Sequence, residues 1–201
     1  MISEQLIEEI LAQKSAPGHI TKPEELNAEK RQQRAEAARY LAKHTTILEL
    51  YAGEGNLSEK VYARLNPQRM VLVDDDERAL QKAKQRLAPF GIAKFFYPMS
   101  ADRFIEKGFL RRYPDITLVD FDAHQTPHRT IQLFLDHYPI RGPMIVAFTD
   151  RLMQQEAFGL EDMAMKNFGA RRSFRAWRIN RAFGGPNGRV YAGYLLRPVQ
   201  R

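Results

Sequence analysis

Glu49-Leu50-Tyr51-Ala52-Gly53-Glu54-Gly55-Asn56 closes a short apolar run and opens a helical pattern. Glycines at 53 and 55 let the backbone approach a ligand more closely than a side chain would permit. The run that leads into this loop is TILELY (46–51). Beyond it come MVLVD (70–74), AKFFY (93–97), ITLVDFD (116–122) and MIVAFTD (144–150). Helical patterns separate them near 57–65, 76–88, 101–110, 127–138 and 152–167. Short β-branched runs alternating with amphipathic segments predict a parallel sheet with helices on both faces. The alternation then stops. RSFRAWRIN (172–180) and RVYAGYLLR (189–197) flank the turn-rich Gly184-Gly185-Pro186-Asn187-Gly188 and predict a terminal hairpin. The expected fold class is α/β, a doubly wound and mostly parallel seven-stranded sheet.

Upstream of the sheet, residues 4–14 place Leu6, Ile7, Ile10 and Leu11 at helical spacing. Pro17 and Gly18 end that helix. Thr21 with Glu24 forms a capping-box pattern that opens a second helix running to about Lys43. This helix has many charges and few large apolar residues, so it reads as a partly exposed lead-in. The expected division is a helical N-terminal extension, 1–45, and a sheet domain, 46–201.

Composition narrows the classes of function. The 201 residues are 44% hydrophobic, as in globular proteins, and no apolar run reaches the roughly 18 residues of a membrane span. Met1 to Glu9 carries acids without a basic leader, so the expected location is the cytoplasm. Cysteine is absent, which excludes disulfides, thiolate metal sites and a cysteine nucleophile. His19, His44, His124, His128 and His137 have no metal-ligand spacing, so no metal is expected.

Asp74 ends the second strand 21 positions after Gly53, where a carboxylate can accept hydrogen bonds from both hydroxyls of a ribose. Ser58 replaces the third glycine of the dinucleotide pattern, and Glu49 stands within the ligand loop. An acid there repels a pyrophosphate but attracts an ammonium or sulfonium group. That chemistry favours S-adenosylmethionine over a dinucleotide as the cofactor.

ELYAGEGN resembles motif I of class I S-adenosylmethionine-dependent methyltransferases, especially the RNA-modifying ones. VLVDDDERAL resembles their second motif, which implies Asp74 at the ribose and Asp75 at the next position of the pocket. Ser100-Ala101-Asp102 is similar to the segment that holds the adenine. The cofactor residues implied by residues and resemblance together are Glu49, Tyr51, Gly53, Gly55, Asn56, Asp74, Asp75, Ala101, Asp102 and Asp120.

The segment after the fourth strand, Val119-Asp120-Phe121-Asp122-Ala123-His124-Gln125-Thr126-Pro127, is similar to that of tRNA guanine-N2 dimethyltransferases. Their pattern is Asp-x-Asp-Pro-Phe/Tyr-Gly-Ser/Thr-Pro. Asp120, Asp122, Thr126 and Pro127 match it, and Ala123-His124-Gln125 departs from it. Phe148-Thr149-Asp150 resembles that family's Thr-x-Thr-Asp. Methylating an exocyclic amine needs an acceptor for the departing proton, and Asp122 suits that role. His124 can stack on a base, donate a hydrogen bond or relay the proton. Pyrimidine C5 methylation normally needs a cysteine, and the Asn/Asp-Pro-Pro-Tyr/Phe motif of adenine N6 enzymes is absent, which leaves a nitrogen such as guanine N2.

The net charge of +7 is local: residues 171–201 contain eight arginines and no acid. Arg171, Arg172, Arg175, Arg178 and Arg181 interleave with Phe174, Trp177 and Phe183, a mixture suited to phosphates and bases. The expected partner is RNA, either tRNA or rRNA. A small-molecule or protein methyltransferase, and a non-catalytic S-adenosylmethionine- or RNA-binding module, are the competing readings. The oligomeric state is left open.

Overall fold

All five residues of β1 (Thr46–Leu50) are buried, as befits the centre of a sheet covered on both faces. The computed structural model describes residues 23–123, 127–151, 174–184 and 189–198. Strands β2 (Arg69–Asp74), β3 (Ala93–Pro98), β4 (Ile116–Phe121) and β5 (Met144–Arg151) join β1 in parallel. The hairpin of β6 (Phe174–Gly184) and β7 (Arg189–Pro198) completes the sheet, with β7 antiparallel to β5. The seven strands follow the order β3-β2-β1-β4-β5-β7-β6, so the expected doubly wound, mostly parallel sheet is the observed one.

The helices divide between the two faces. On one, Phe104 and Ile105 of α3 (Ala101–Glu106) and Ile131, Phe134 and Leu135 of α4 (His128–His137) pack on Leu48, Leu50, Val119 and Val146. On the other, Leu80, Ala83 and Leu87 of α2 (Glu77–Leu87) pack on Ile47, Leu72, Leu118 and Ile145. Ala35, Ala37 and Ala38 of α1 (Pro23–Ala38) join the second group. Small side chains therefore bring α1 close to the sheet.

Three expectations change. Helix α1 ends at Ala38, five residues short of Lys43, because buried His44 takes the terminal turn. Its Nε2 lies 3.0 Å from the Ala38 carbonyl oxygen, and burial holds the ring's pKa below its ordinary value, favouring a neutral ring that donates this bond. The segment read as a helix over 57–65 is a π-helical turn, Ser58–Tyr62, followed by a 3₁₀ turn, Ala63–Leu65. The strand expected over 172–180 is not regular: in β6 a register shift between Arg178 and Asn180 inserts Ile179.

Several expectations lie outside the described residues: the helices at 4–14 and 152–167, the Thr21 cap, His124, Gln125, Thr126, Arg171 and Arg172. Arg175 and Arg181 are described by their backbone, as members of β6, and Arg178 is exposed. No helix among the described residues is long and apolar enough to cross a membrane.

Candidate active site

The carboxyl ends of β1, β2 and β4 open into a cleft of about 500 Å³. Ligands of doubly wound sheets bind at this edge because the strand order reverses there and the loops diverge. Glu49, Tyr51, Gly53, Asn56, Asp74, Asp75 and Asp122, all singled out from the sequence, line it together. Lys30 and Arg31 of α1 line it as well.

The loop after β1 is held in an unusual backbone conformation. Tyr51, Gly53 and Gly55 have φ of 66°, 52° and 74°, in the left-handed region. Such a φ is strained for tyrosine, and strain of this kind concentrates at ligand sites. The Tyr51 hydroxyl lies 2.7 Å from Thr130 Oγ1, which in turn donates to Asp102 Oδ1 at 2.6 Å. Since the threonine hydroxyl spends its proton on Asp102, Tyr51 is the donor to Thr130. Gly55 serves packing: a Cβ there would lie 2.8 Å from Ala83 Cβ, so glycine lets the loop close on α2. A Cβ on Gly53 would meet nothing within 4 Å.

Asp74 ties the two loops together. Its Oδ2 accepts the Gly53 amide at 2.8 Å, and its Oδ1 accepts the Asp76 amide at 2.9 Å. Asp76 caps α2 by accepting from the amides of Arg78 and Ala79. Glu49 is 2% exposed and accepts a hydrogen bond from the Ser58 hydroxyl. Burial first, and then the charge of Asp120, hold its carboxyl well above the ordinary carboxylate range. Glu49 has no ion-pair partner among the described residues.

Asp120, the cross-strand neighbour of Glu49, has different surroundings. It is 0% exposed, and Arg34 of α1 grips it with two bonds, Nε to Oδ2 at 2.9 Å and Nη2 to Oδ1 at 2.8 Å. The Tyr62 hydroxyl donates to the same carboxylate. Burial opposes the Arg34 charge, but Asp120 and then Tyr62 outweigh it and hold the pKa above its ordinary value. Asp120 does not line the cleft, and neither do Ala101, Asp102 or Gly55. Asp102 is instead engaged by Thr130 and, at 3.3 Å, by Arg129.

Asp122 lies one step beyond β4, where its amide bonds the Leu50 carbonyl at 3.2 Å. Lys30 Nζ donates to its Oδ2 at 2.7 Å, and the Thr149 hydroxyl donates to its Oδ1 at 2.8 Å. Thr149 also accepts from Arg34 Nη2 at 3.1 Å, which joins the Asp120 and Asp122 clusters. Sequence reasoning missed Lys30, Arg34, Ser58 and Tyr62. For Lys30 and Arg34 the one usable signal is spacing. Residues i and i+4 of a helix stand about 6 Å apart along its axis, close to the roughly 6.6 Å between i and i+2 of a strand. Lys30 and Arg34 on α1 thus match Asp122 and Asp120. No cluster of three or more His, Asp or Glu suited to a metal occurs among the described residues.

The strand order, the glycine loop after β1 and the acid closing β2 together define the Rossmann-like fold of class I methyltransferases. An rRNA methylase from Streptococcus thermophilus shares it with a TM-score of 0.55 and 21% identity, covering 91% of this chain and 100% of that one. A Pyrococcus horikoshii protein, provisionally described as an RNA methyltransferase, gives 0.59 and 12% identity with 98% of both chains covered. SMU.776, provisionally described as a methyltransferase and complexed with S-adenosylhomocysteine, gives 0.65 and 11% over 84% of this chain and 49% of its own. At these identities the likeness is one of fold. No family model matches the sequence, and no curated protein is similar to it.

Proposed function

We propose that this chain is an S-adenosylmethionine-dependent methyltransferase acting on RNA, tRNA or rRNA, at a base nitrogen such as guanine N2. The observation that carries the reading is Glu49: a buried acid that lines the cleft, forms no ion pair among the described residues, and has, of the cations, only the weak influence of Lys30 to offset its burial. A ligand that brings an ammonium group supplies the missing charge. Across the cleft, Asp74 presents its carboxylate for ribose hydroxyls, and the space beside Gly53 admits a ligand against the backbone. S-adenosylmethionine, when bound, supplies the electrophilic methyl group.

The remaining chemistry belongs to the chain. Asp122 has both carboxylate oxygens fixed, by Lys30 and by Thr149, so its remaining lone pairs are aimed and its rotamer is locked. A carboxylate held in this way can accept the proton that leaves an exocyclic amine. A second reading, a small-molecule or protein substrate, draws on α1, whose Lys30 and Arg31 reach the cleft and narrow it.

Calorimetry tests the cofactor. S-adenosylmethionine should bind, and Asp74→Ala should weaken it by about 1–3 kcal/mol, the scale of a lost hydrogen bond to a charged group. Absence of binding by the cofactor and by S-adenosylhomocysteine rejects the reading. For RNA, replacing Arg171, Arg172 and Arg175 with alanine should weaken binding and flatten the salt dependence, by roughly 0.7 to 0.9 in log–log slope for each phosphate no longer neutralised. An unchanged slope would make these arginines a solubilising surface. Mass spectrometry of nucleosides from cells with and without the gene identifies the modified base.

A further inference from the structure

Helix α1 carries three cations to the sheet edge, and two of them are paired. Lys30 is taken by Asp122, and Arg34 is taken by Asp120. Arg31 lines the cleft, is partly buried, and makes no hydrogen bond or ion pair with any described residue. This is not for want of acids, since six share the cleft wall: Glu49, Glu54, Asp74, Asp75, Asp76 and Asp122. Most are occupied elsewhere. Glu54 holds Lys82 at 2.6 Å, Asp76 caps α2, Asp74 ties the loop amides, and Asp122 has Lys30. Burial lowers the Arg31 pKa from its ordinary value, the mark of a cation removed from water without a compensating anion.

The cleft therefore contains two complementary deficits. Glu49 is a buried acid and Arg31 a partly buried cation, and neither forms an ion pair among the described residues. One ligand group satisfies both, an α-amino acid zwitterion. We propose that Arg31 is the receptor for the carboxylate of the cofactor's amino-acid end, with Glu49 receiving its ammonium. The inference rests on the cofactor reading above and adds to it that α1, upstream of the sheet, supplies part of the binding site. A planar guanidinium suits this task, because it meets a carboxylate with two parallel hydrogen bonds.

The test compares three ligands on the full chain by calorimetry: S-adenosylhomocysteine, its decarboxylated analogue, and 5′-methylthioadenosine, which lacks the amino-acid end. Wild-type protein should prefer S-adenosylhomocysteine to the decarboxylated analogue by about 10- to 100-fold, the range of a charge-assisted bidentate contact. Arg31→Gln should abolish that preference and leave 5′-methylthioadenosine binding unchanged, while Arg31→Lys should restore part of it. Equal loss of all three ligands in Arg31→Gln would assign the residue to packing and overturn the inference. Unchanged selectivity with weakened RNA binding would overturn it in favour of a phosphate contact. A wild type that binds S-adenosylhomocysteine without discriminating against the decarboxylated analogue overturns this inference alone. A wild type that binds none of the three overturns the cofactor reading and this inference with it.

Discussion

Arg34→Ala should lose about 3–5 kcal/mol of stability, the range for removing one partner of a buried ion pair. For a chain of this size that corresponds to a melting temperature lowered by roughly 6–20 °C. The size of the effect follows from what stays behind. Asp120 is 0% exposed and sits between β1 and β5 on the face that α1 covers. Without Arg34 its carboxylate retains, among the described residues, only the Tyr62 hydroxyl, and Glu49 and Asp122 are nearby acids.

The pH dependence separates this cause from the simple loss of side-chain volume. Burial pushes the Asp120 carboxyl up, and Arg34 pulls it down. Burial already outweighs that pull, so the folded-state pKa lies above its ordinary value, and in Arg34→Ala, with the pull gone, it rises further above the unfolded value of about 3.9. A group shifted in this direction contributes stability that is present below the unfolded pKa and lost as pH rises through the folded one. The deficit relative to wild type should therefore be largest near neutrality and shrink toward pH 5. Arg34→Met/Asp120→Asn, which removes both charges, should recover much of the loss. Urea titrations at two pH values are sufficient. An equal deficit at both, or one below about 1 kcal/mol, would show that the pair is not what anchors α1.

That anchor explains why the fold was readable and half of the site was not. The parallel strands are buried on both faces, so β1, β2, β4 and β5 read as apolar runs with ends correct to a residue or two. The cofactor-side acids are local: Glu49 and Asp74 flank the loop they serve. Helix α1 obeys neither rule. It meets the sheet through alanines and through a buried arginine whose partner lies 86 positions away, so hydrophobic periodicity has nothing to register. Charged residues on a helix with few large apolar groups read as solvated, and only the pairing of Lys30 and Arg34 with Asp122 and Asp120 shows that they are not. Ser58 was legible as a missing glycine but not as the donor to Glu49, because the π-helical turn that positions it has no periodic signature. The bulge at Ile179 is invisible for the same reason.

The same geometry sets the result expected for Asp122. Asp122→Asn should slow methyl transfer by about 10²–10⁴-fold, the usual contribution of a positioned proton acceptor, while leaving cofactor affinity close to wild type. Asparagine keeps the shape, with an oxygen that can accept from Lys30 and an amide that can donate to the Thr149 hydroxyl, but it leaves Lys30 without a counter-charge and cannot take a proton at neutral pH. Lys30 and Asp122 are partly exposed, with side chains at 13% and 16%, so water can serve the partner left behind and the fold should be little affected. This contrasts with Asp120, where a comparable change would be felt mainly in stability. Thr149→Val removes one of the two bonds that orient Asp122 and should give a smaller loss of rate. His124→Ala should act weakly if the ring stacks on the base, and as strongly as Asp122→Asn if it relays the proton. The measurement is single-turnover transfer of labelled methyl groups to bulk tRNA and rRNA, with cofactor affinity and urea stability determined for each variant. A wild-type rate in Asp122→Asn would remove the residue from the chemistry. A wild-type protein that binds cofactor but labels no RNA would move the substrate to the small molecules or proteins of the second reading, for which α1 closes one side of the cleft.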